Sequence, residues 1–272
     1  MHKLCAVLRL GVAALVAGLV AGCAAPIVTG GADVEKAAFG EKKRFAVVTI
    51  ASNKSFTGER ALLDTFKNAE NVPGANSQPM IDKLGPRIVG TLARSSHFSL
   101  VPESRVLSNR AYRAAAEDAR QQGAAIFSVD LNVAQGYRYF SEPQKFARLA
   151  QDLGVDGVIA VYVHFSVSAL DIGGNIRGIA LGGKRYSTTA NASAIAYNQK
   201  GEVVWKDSTQ KEADPADTKA VVVVDTSMFT GADYFKLQPS AVEIGGKAVE
   251  VLVTRLEDSL AGRSVDRVQW TK

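Results

Sequence analysis

The chain has 272 residues, of which 47% are hydrophobic and 22% are charged, and its formal net charge is +5. Its basic residues are scattered along the chain, which argues against nucleic-acid binding. The apolar content excludes a largely disordered chain and suffices for one large domain or two small ones.

The N-terminus has the layout of a secretory signal peptide. Lys3 and Arg9 supply positive charge, residues 10–22 contain no charge, and small residues precede Cys23. This apolar stretch is short for a membrane span. The ending Val-Ala-Gly-Cys resembles the lipobox of bacterial lipoproteins, which implies cleavage after residue 22 and acylation of Cys23. An ordinary signal peptide with a chance cysteine is the alternative.

The two cysteines of the chain, Cys5 and Cys23, support the lipoprotein hypothesis. Cys5 is removed with the predicted signal peptide, so the mature protein has no second thiol for an intramolecular disulfide. Several acyl chains on one cysteine give lasting membrane attachment, whereas one chain alone gives marginal binding. Ala24 stands where inner-membrane lipoproteins usually carry aspartate. The resemblance therefore implies a lipid anchor in the outer membrane and a domain facing the periplasm.

Residues 1–22 are thus predicted to be a lipoprotein signal peptide, residues 23–43 a tether, and residues 44–272 a single α/β (α+β) domain. Hydrophobic periodicity predicts strands at residues 44–50, 98–101, 127–133, 155–167, 186–197 and 202–206, and an apolar run at residues 221–224. It predicts helices at residues 80–94, 104–122, 141–153 and 240–261. The mixture predicts a mixed β-sheet with helices mainly on one side.

Several local signals refine these elements. Pro86 should kink or delay the helix in which it lies. Ser141 and Ser240 each begin a capping box, a serine followed three residues later by glutamine or glutamate, and each should start a helix. Gly201 should occupy the left-handed position of a hairpin turn. Trp205, beside that turn, is expected in the core.

The stretch GIALGGKR at residues 178–185 differs from the phosphate-binding loop GxxxxGK[ST] only at Arg185. In a phosphate loop a helix follows the lysine, and the N-terminus of that helix holds the phosphates. Here Lys184 is followed by strand-like alternation, and an exported lipoprotein meets essentially no ATP. We therefore expect no nucleotide site, and we interpret residues 171–184 as a flexible excursion between two strands.

Three stretches resemble a known group of bacterial envelope proteins. They are HFSLVPESRVL at residues 97–107, LGVDGVIAVYVHFS at residues 153–166, and KGEVVW at residues 200–205. Together with the order of elements, they are similar to lipoproteins of the curli-secretion CsgG type, to penicillin-binding-protein activator lipoproteins and to the N-terminal domain of TolB. The matching positions are Phe98, Leu100, Val101, Arg105, Gly154, Asp156, Gly201 and Trp205. The resemblance implies binding or assembly work at the outer membrane and no catalysis.

The residue types needed for catalysis or metal binding do not assemble into a motif. His97 lies in a turn and His164 on an apolar strand, and the chain lacks HExxH, GxSxG and a cysteine nucleophile. We predict no catalytic residue, no metal ligand and no cofactor. A partner surface is expected on loops, at residues 52–77 and 171–184. Its candidate residues are Asp171, Asn175, Arg177 and Lys184.

The functional hypothesis is a non-catalytic envelope lipoprotein that binds or helps assemble another component of the cell envelope. Its partners would be the membrane, through acyl chains on Cys23, and another envelope protein, with neither nucleic acid nor nucleotide. Two alternatives stay open. One is an oligomeric, CsgG-like secretion-channel subunit, which needs membrane hairpins with about ten alternating residues per strand. The other is an unrecognised periplasmic enzyme.

Overall fold

The computed structural model describes residues 32–58, 74–118, 131–171, 175–176, 179–180, 184–214, 221–224 and 231–263. The predicted signal peptide and Cys23 lie outside these ranges. The strands are β1 Asp33–Val34, β2 Arg44–Asn53, β3 Thr57–Gly58, β4 Ser99–Leu100, β5 Leu131–Val133, β6 Gly157–Asp171, β7 Asn175–Ile176, β8 Ile179–Ala180, β9 Lys184–Asn198, β10 Val203–Glu212 and β11 Val221–Val224. The helices are α1 Gln78–Leu92, α2 Glu103–Ser108, α3 Arg110–Ala114, α4 Pro143–Leu153 and α5 Gly231–Leu260, with a short 3-10 helix at Lys36–Ala38.

Most strands of the described residues form one mixed sheet, with the order β1-β10-β9-β6-β2-β4. Strand β2 is parallel to β4 and β6, whereas β6, β9, β10 and β1 pair antiparallel. β3 pairs with β6, β5 with β2, and β11 with β9. The sequence prediction of a single α+β domain with a mixed sheet is confirmed.

Helices cover the two faces of this sheet unequally. The long helices α1 and α5 cover one face, where their apolar side chains meet those of β2, β6 and β9 in the larger core. The shorter helices α2, α3 and α4 cover only part of the other face and contribute Val106, Tyr112, Phe146 and Leu149 to a smaller core.

Period-two alternation explains why β9 lies between two different environments. Its alanines at positions 190, 192, 194 and 196 are at most 2% exposed and face the larger core. The intervening Asn191, Ser193 and Ile195 face the other way and are partly exposed. Successive side chains of a strand point to opposite faces, so the predicted pattern became a buried small-residue face and a polar outer face.

The predicted tether is partly a packed segment. Val34 of β1 pairs with Trp205 of β10, and the ring of Phe39 stacks on that of Phe45 with centroids 5.0 Å apart. The packed domain therefore includes residue 33, eleven positions before the expected start. Trp205 is 1% exposed, so the prediction that it is a core residue is confirmed.

The sequence predicts a helix at residues 80–94 that Pro86 kinks or delays. Instead α1 begins at Gln78, with Pro79 in its first turn, and continues through Pro86 to Leu92. Leu84, Ile88 and Leu92 of α1 are at most 1% exposed. Tertiary packing of this apolar face outweighs the lost backbone hydrogen bond, so the prediction of a delayed start was wrong.

The single helix predicted at residues 104–122 is two short helices in the described residues, α2 and α3. Asn109 separates them in an extended conformation, and its Oδ1 accepts hydrogen bonds from the backbone N–H groups of Ala111 and Tyr112. Asparagine is a strong N-cap because its side chain satisfies these amides, and it thereby ends α2 and starts α3. Of the strand predicted at residues 127–133, residues 127–130 lie outside the described ranges, and β5 covers the rest.

Neither predicted capping box forms. Helix α4 starts at Pro143, and its preceding amides at Ser141 and Glu142 donate to Oδ2 of Asp118, at 2.6 and 2.9 Å. Asp118, distant in sequence, therefore holds the segment that precedes α4, and the N-cap residue Glu142 makes no side-chain capping bond. Helix α5 starts at Gly231, well before Ser240, whose buried Oγ has no hydrogen-bond partner among the described residues. Two glycine predictions are confirmed. Gly154 ends α4 with φ 64°, and Gly201 occupies the hairpin turn with φ 80°.

Candidate functional site

The longest feature of the sheet is the hairpin of β6 and β9. Each strand has 15 residues, and their pairing runs without a register shift from Gly157 opposite Asn198 to Asp171 opposite Lys184. The far end is reinforced by β11, where Val221 pairs with Ser187 and Val224 with Lys184. A strand on the outer side of β9 therefore supports the hairpin almost to its end.

The residues predicted to bind a partner lie at this end. Asp171 and Lys184 are direct cross-strand partners and form the last pair of the hairpin. Asn175 lies on β7, which pairs with β8 and places Asn175 opposite Ala180. Arg177 lies outside the described residues. The excursion predicted to link the two strands therefore contains a small antiparallel ladder of its own.

The stretch at residues 178–185, which resembles a phosphate-binding loop, ends in the first residues of β9. Lys184 and Arg185 are the first residues of this strand, and no helix follows them before its end at Asn198. The prediction of a strand after Lys184 is confirmed. A helix N-terminus, which supplies the amides and dipole of a phosphate loop, does not stand at this position.

On the second face of the sheet, beyond α4, side chains of four strands line a hollow of about 340 Å³. Two cross-strand rows line it. One row consists of Tyr162, Ser193 and Ser208, and the next consists of Ile195, Lys206 and Asp33. Small-molecule and side-chain pockets have about this volume or more.

Tyr162 forms a fixed apolar wall of the hollow. Its hydroxyl donates to the backbone oxygen of Phe140 at 2.9 Å, and its ring meets that of Tyr139 edge to face, with centroids 6.2 Å apart. Burial raises the pKa of Tyr162 above the ordinary tyrosine value, so its hydroxyl stays protonated. The ring is thus held by contacts at both its edge and its hydroxyl.

Two opposite charges stand at the rim of the hollow. Asp33 and Lys206 are direct cross-strand partners and both line it. Among the described residues, neither side chain forms a hydrogen bond or an ion pair. Within the described part of the chain, both charges are therefore available to a ligand.

A buried ion pair lies on the opposite face of β10. Nη1 of Arg255, on α5, contacts Oδ1 of Asp207 at 3.3 Å and donates to the backbone oxygen of Ser208 at 3.1 Å. The Asp207 and Arg255 side chains are 0% and 7% exposed. Desolvation raises the pKa of Asp207 to about 6, against the opposing effect of the Arg255 charge. The pair fixes β10 to α5 from beneath the hollow.

The turn after α1 gathers a serine, a histidine and a glutamate. Ser95 Oγ donates to Glu257, and His97 Nε2 lies 3.7 Å from Oε2 of the same carboxylate. In a catalytic triad the imidazole takes the serine proton. Here the backbone N–H of His97, at 3.1 Å, contacts the Ser95 hydroxyl. The cluster joins the turn to α5 and does not have triad geometry.

The remaining candidates for chemistry are His164 and groups of possible metal ligands. His164 is half-buried on the outer face of β6, and burial lowers its pKa below the usual histidine value. Within the described ranges, no group of three histidine, cysteine, aspartate or glutamate side chains is placed to hold a metal ion. Among the helices of those ranges, none combines the length and the apolar content needed to cross a membrane.

Comparisons with known proteins add little to this geometry. No family model matches the sequence, and no curated protein matches it. Among solved structures, the fold is similar to the LpoB C-terminal domain from Salmonella enterica, with a TM-score of 0.27 and 10% identity over 64% of this chain and 84% of that one. A likeness at that level assigns no function.

The sequence indicated one of these two surfaces and missed the other. The glycine-rich stretch between two strands correctly indicated the end of the hairpin. The sequence does not indicate the hollow, because Asp33 lies in the predicted tether. The sequence also does not show that β1 pairs with the outer edge of the strand that contains Lys206. Its one visible signal was the alternation of alanine with serine, asparagine and isoleucine along β9.

Proposed function

We propose that this protein is a non-catalytic, lipid-anchored envelope protein that binds another protein of the cell envelope through the end of its long hairpin. The observation that carries the proposal is the β6–β9 pairing, which continues to Asp171 and Lys184 and is reinforced there by β11. Functional segments are commonly presented on rigid scaffolds, and this hairpin is anchored in the core by Val163 and Phe165.

The anchor belongs to the same proposal. Acyl chains on Cys23 would hold the protein at the outer membrane, with the domain in the periplasm. β1 begins ten positions after Cys23 and lies on the outer side of β10. An extended chain spans at most about 3.6 Å per residue, so the anchor would keep that edge of the domain within about 36 Å of the lipid.

The alternative of a secretion-channel subunit is less well supported by the hairpin. A strand that crosses a bilayer needs about 9–11 residues, and every second side chain faces lipid. Val158, Ala160 and Val163 of β6 are at most 1% exposed because helices cover them. The membrane-length part of β6 is therefore already packed in the domain. Heat-modifiable oligomer bands in mild detergent would revive the channel hypothesis.

The decisive experiment replaces residues 172–183 by a two-residue Asn-Gly turn. Asp171 and Lys184 are already paired, so a tight turn can join them without disturbing the sheet. Crosslinking in cells, followed by mass spectrometry, should show that the variant loses the envelope partners of the wild type while its melting temperature hardly changes. The matched control is Lys200→Ala, in the turn at the other end of β9, which should keep every partner.

Two outcomes would contradict the proposal. If the shortened protein unfolds, residues 172–183 are structural. If it keeps every crosslink of the wild type, the hairpin end does not bind the partner.

A further inference from the structure

We propose that the hollow on the second face of the sheet is a peptide-anchor site. It would receive one apolar side chain from an extended segment of the envelope partner, and that segment would carry a basic group for Asp33 and an acidic group for Lys206. This inference rests on the proposed function and adds a second contact surface, distinct from the hairpin end, with a stated partner chemistry.

The floor of the hollow suits an apolar side chain. Ile195 and the ring of Tyr162 supply apolar surface, and Ser193 between them is small enough to leave the space open. A volume of about 340 Å³ accommodates a large apolar side chain with its flanking backbone. Protein interfaces concentrate their binding energy in such filled pockets.

The rim supplies the charge complementarity. Asp33 and Lys206 stand opposite each other on neighbouring strands, and among the described side chains each charge lacks a partner. A ligand with one charge would meet attraction at one residue and repulsion at the other. A segment with both charges, placed on the two sides of an apolar residue, satisfies both.

The site is also rigid before binding. The hydroxyl of Tyr162 is tied to Phe140, and Arg255 holds the backbone of Ser208 from the opposite face. Residues that are already fixed lose little conformational entropy when a partner binds. Tyr162 and Ser208, the two cross-strand neighbours of Ser193, are therefore preorganised.

Phage-displayed peptide selection on the full chain, purified in detergent, tests this proposal. The expected result is a shared motif with one large apolar residue between a basic and an acidic residue. Ser193→Trp should fill the hollow and weaken the selected peptides about tenfold or more. The matched control Ser104→Trp, at an exposed position of α2, should leave their affinity unchanged.

A charge variant supplies a readout that a purely structural role would not give. Selection on Lys206→Glu should enrich peptides in which a basic residue replaces the acidic one. Absence of a motif, equal binding to Ser193→Trp, or an unchanged charge preference would each overturn the proposal. Peptides that instead match residues 24–31 of this chain, or a hollow that takes up only detergent, would also overturn it, since the occupant would then be the tether or a lipid.

Failure here is distinguishable from failure of the proposed function. Peptides lost with Ser193→Trp but still bound after replacement of residues 172–183 support the hollow, whatever the hairpin does. If no peptide motif emerges while cellular crosslinks still depend on the hairpin, the peptide-anchor site is refuted and the hairpin function stands.

Discussion

The carboxylate of Asp156 binds the backbone N–H of Arg44 through Oδ2 at 2.9 Å, and the N–H of Asp156 donates to the carbonyl oxygen of Arg44 at 2.8 Å. This reciprocal contact joins the starts of the parallel strands β2 and β6. Oδ1 of the same carboxylate binds Lys43 Nζ at 2.9 Å. Partial burial opposes ionisation of Asp156, yet the Arg44 amide and the Lys43 ammonium hold its pKa below the usual value.

The first prediction concerns Asp156→Asn. A carboxyl whose pKa is depressed in the folded state adds stability above its unfolded pKa and loses it as the pH falls through the folded pKa. Since the side chain is 36% exposed, the difference at pH 7 should be about 1 kcal/mol. Urea titrations from pH 2 to pH 7 should show this difference disappearing in acid. A difference that is constant across the pH range would exclude an ionic origin.

The second prediction concerns Asp207, whose pKa is shifted in the opposite direction. In the folded protein the pKa rises from 3.8 to about 6, so between these values the folded state keeps a proton that the unfolded chain has lost. The contribution of Asp207 to stability is therefore complete below pH 3.8 and decreases, by about 3 kcal/mol, as the pH rises through 6. Asp207→Asn should remove this slope from the curve of unfolding free energy against pH.

The partner of Asp207 gives a third prediction. Arg255→Met leaves the buried carboxylate without its cation and should cost about 3–5 kcal/mol at pH 7. The cost should be smaller at pH 5, because Asp207 then takes up a proton. The double variant, with Asp207→Asn, is the control and should regain much of the lost stability at pH 7. Equal losses in the single and double variants at both pH values would show that packing, and not charge, accounts for the effect.

The sequence predicted the parts of the fold that depend on local patterns. β2, β6 and β9 each have a long apolar or alternating run, and the glycines at 154 and 201 have the left-handed conformations expected at a helix end and a hairpin turn. These elements are specified by side chains close together in the chain. Which of their side chains share a buried face follows from the side-chain periods of strands and helices.

The features that the sequence did not predict depend on distant residues. Asp118 binds the backbone N–H of Ser141 just before α4, although the two residues are far apart in the chain. Helix α1 continues through Pro86, and α5 begins before Pro239. In both helices, burial of the apolar face in the core outweighs the effect of the proline. The hollow needs Tyr162, Ser193 and Lys206 from three strands, together with Asp33 from the predicted tether, and no local pattern connects them.

The fourth prediction tests the anchor. Cys23→Ser should leave an uncleaved or soluble precursor that no longer fractionates with membranes, because the thiol needed for acylation is gone. Cys5→Ser, inside the predicted signal peptide, is the control and should be lipidated normally. Fractionation and gel mobility measure both. A Cys23→Ser protein that stays in the outer membrane with unchanged mobility would disprove the lipid anchor.

The last prediction concerns two glycines with opposite surroundings. A Cβ on Gly157, at the start of β6, would lie 2.5 Å from Cε1 of Phe45 and 2.7 Å from the backbone oxygen of Tyr197. Phe45 is 1% exposed and stacks on Phe39, so it has little room to move. Gly157→Ala should therefore destabilise the domain by about 1–3 kcal/mol or more. Gly90→Ala is the matched substitution, because among the described residues no atom outside the adjoining turns of α1 lies within 4 Å of its added Cβ. It should stabilise the domain by about 0.5–1 kcal/mol, since alanine favours a helix interior more than glycine does. Thermal unfolding of both variants gives the measurement. A Gly157→Ala protein as stable as the wild type, or more stable, would show that the close approach of β6 to Phe45 does not constrain Gly157.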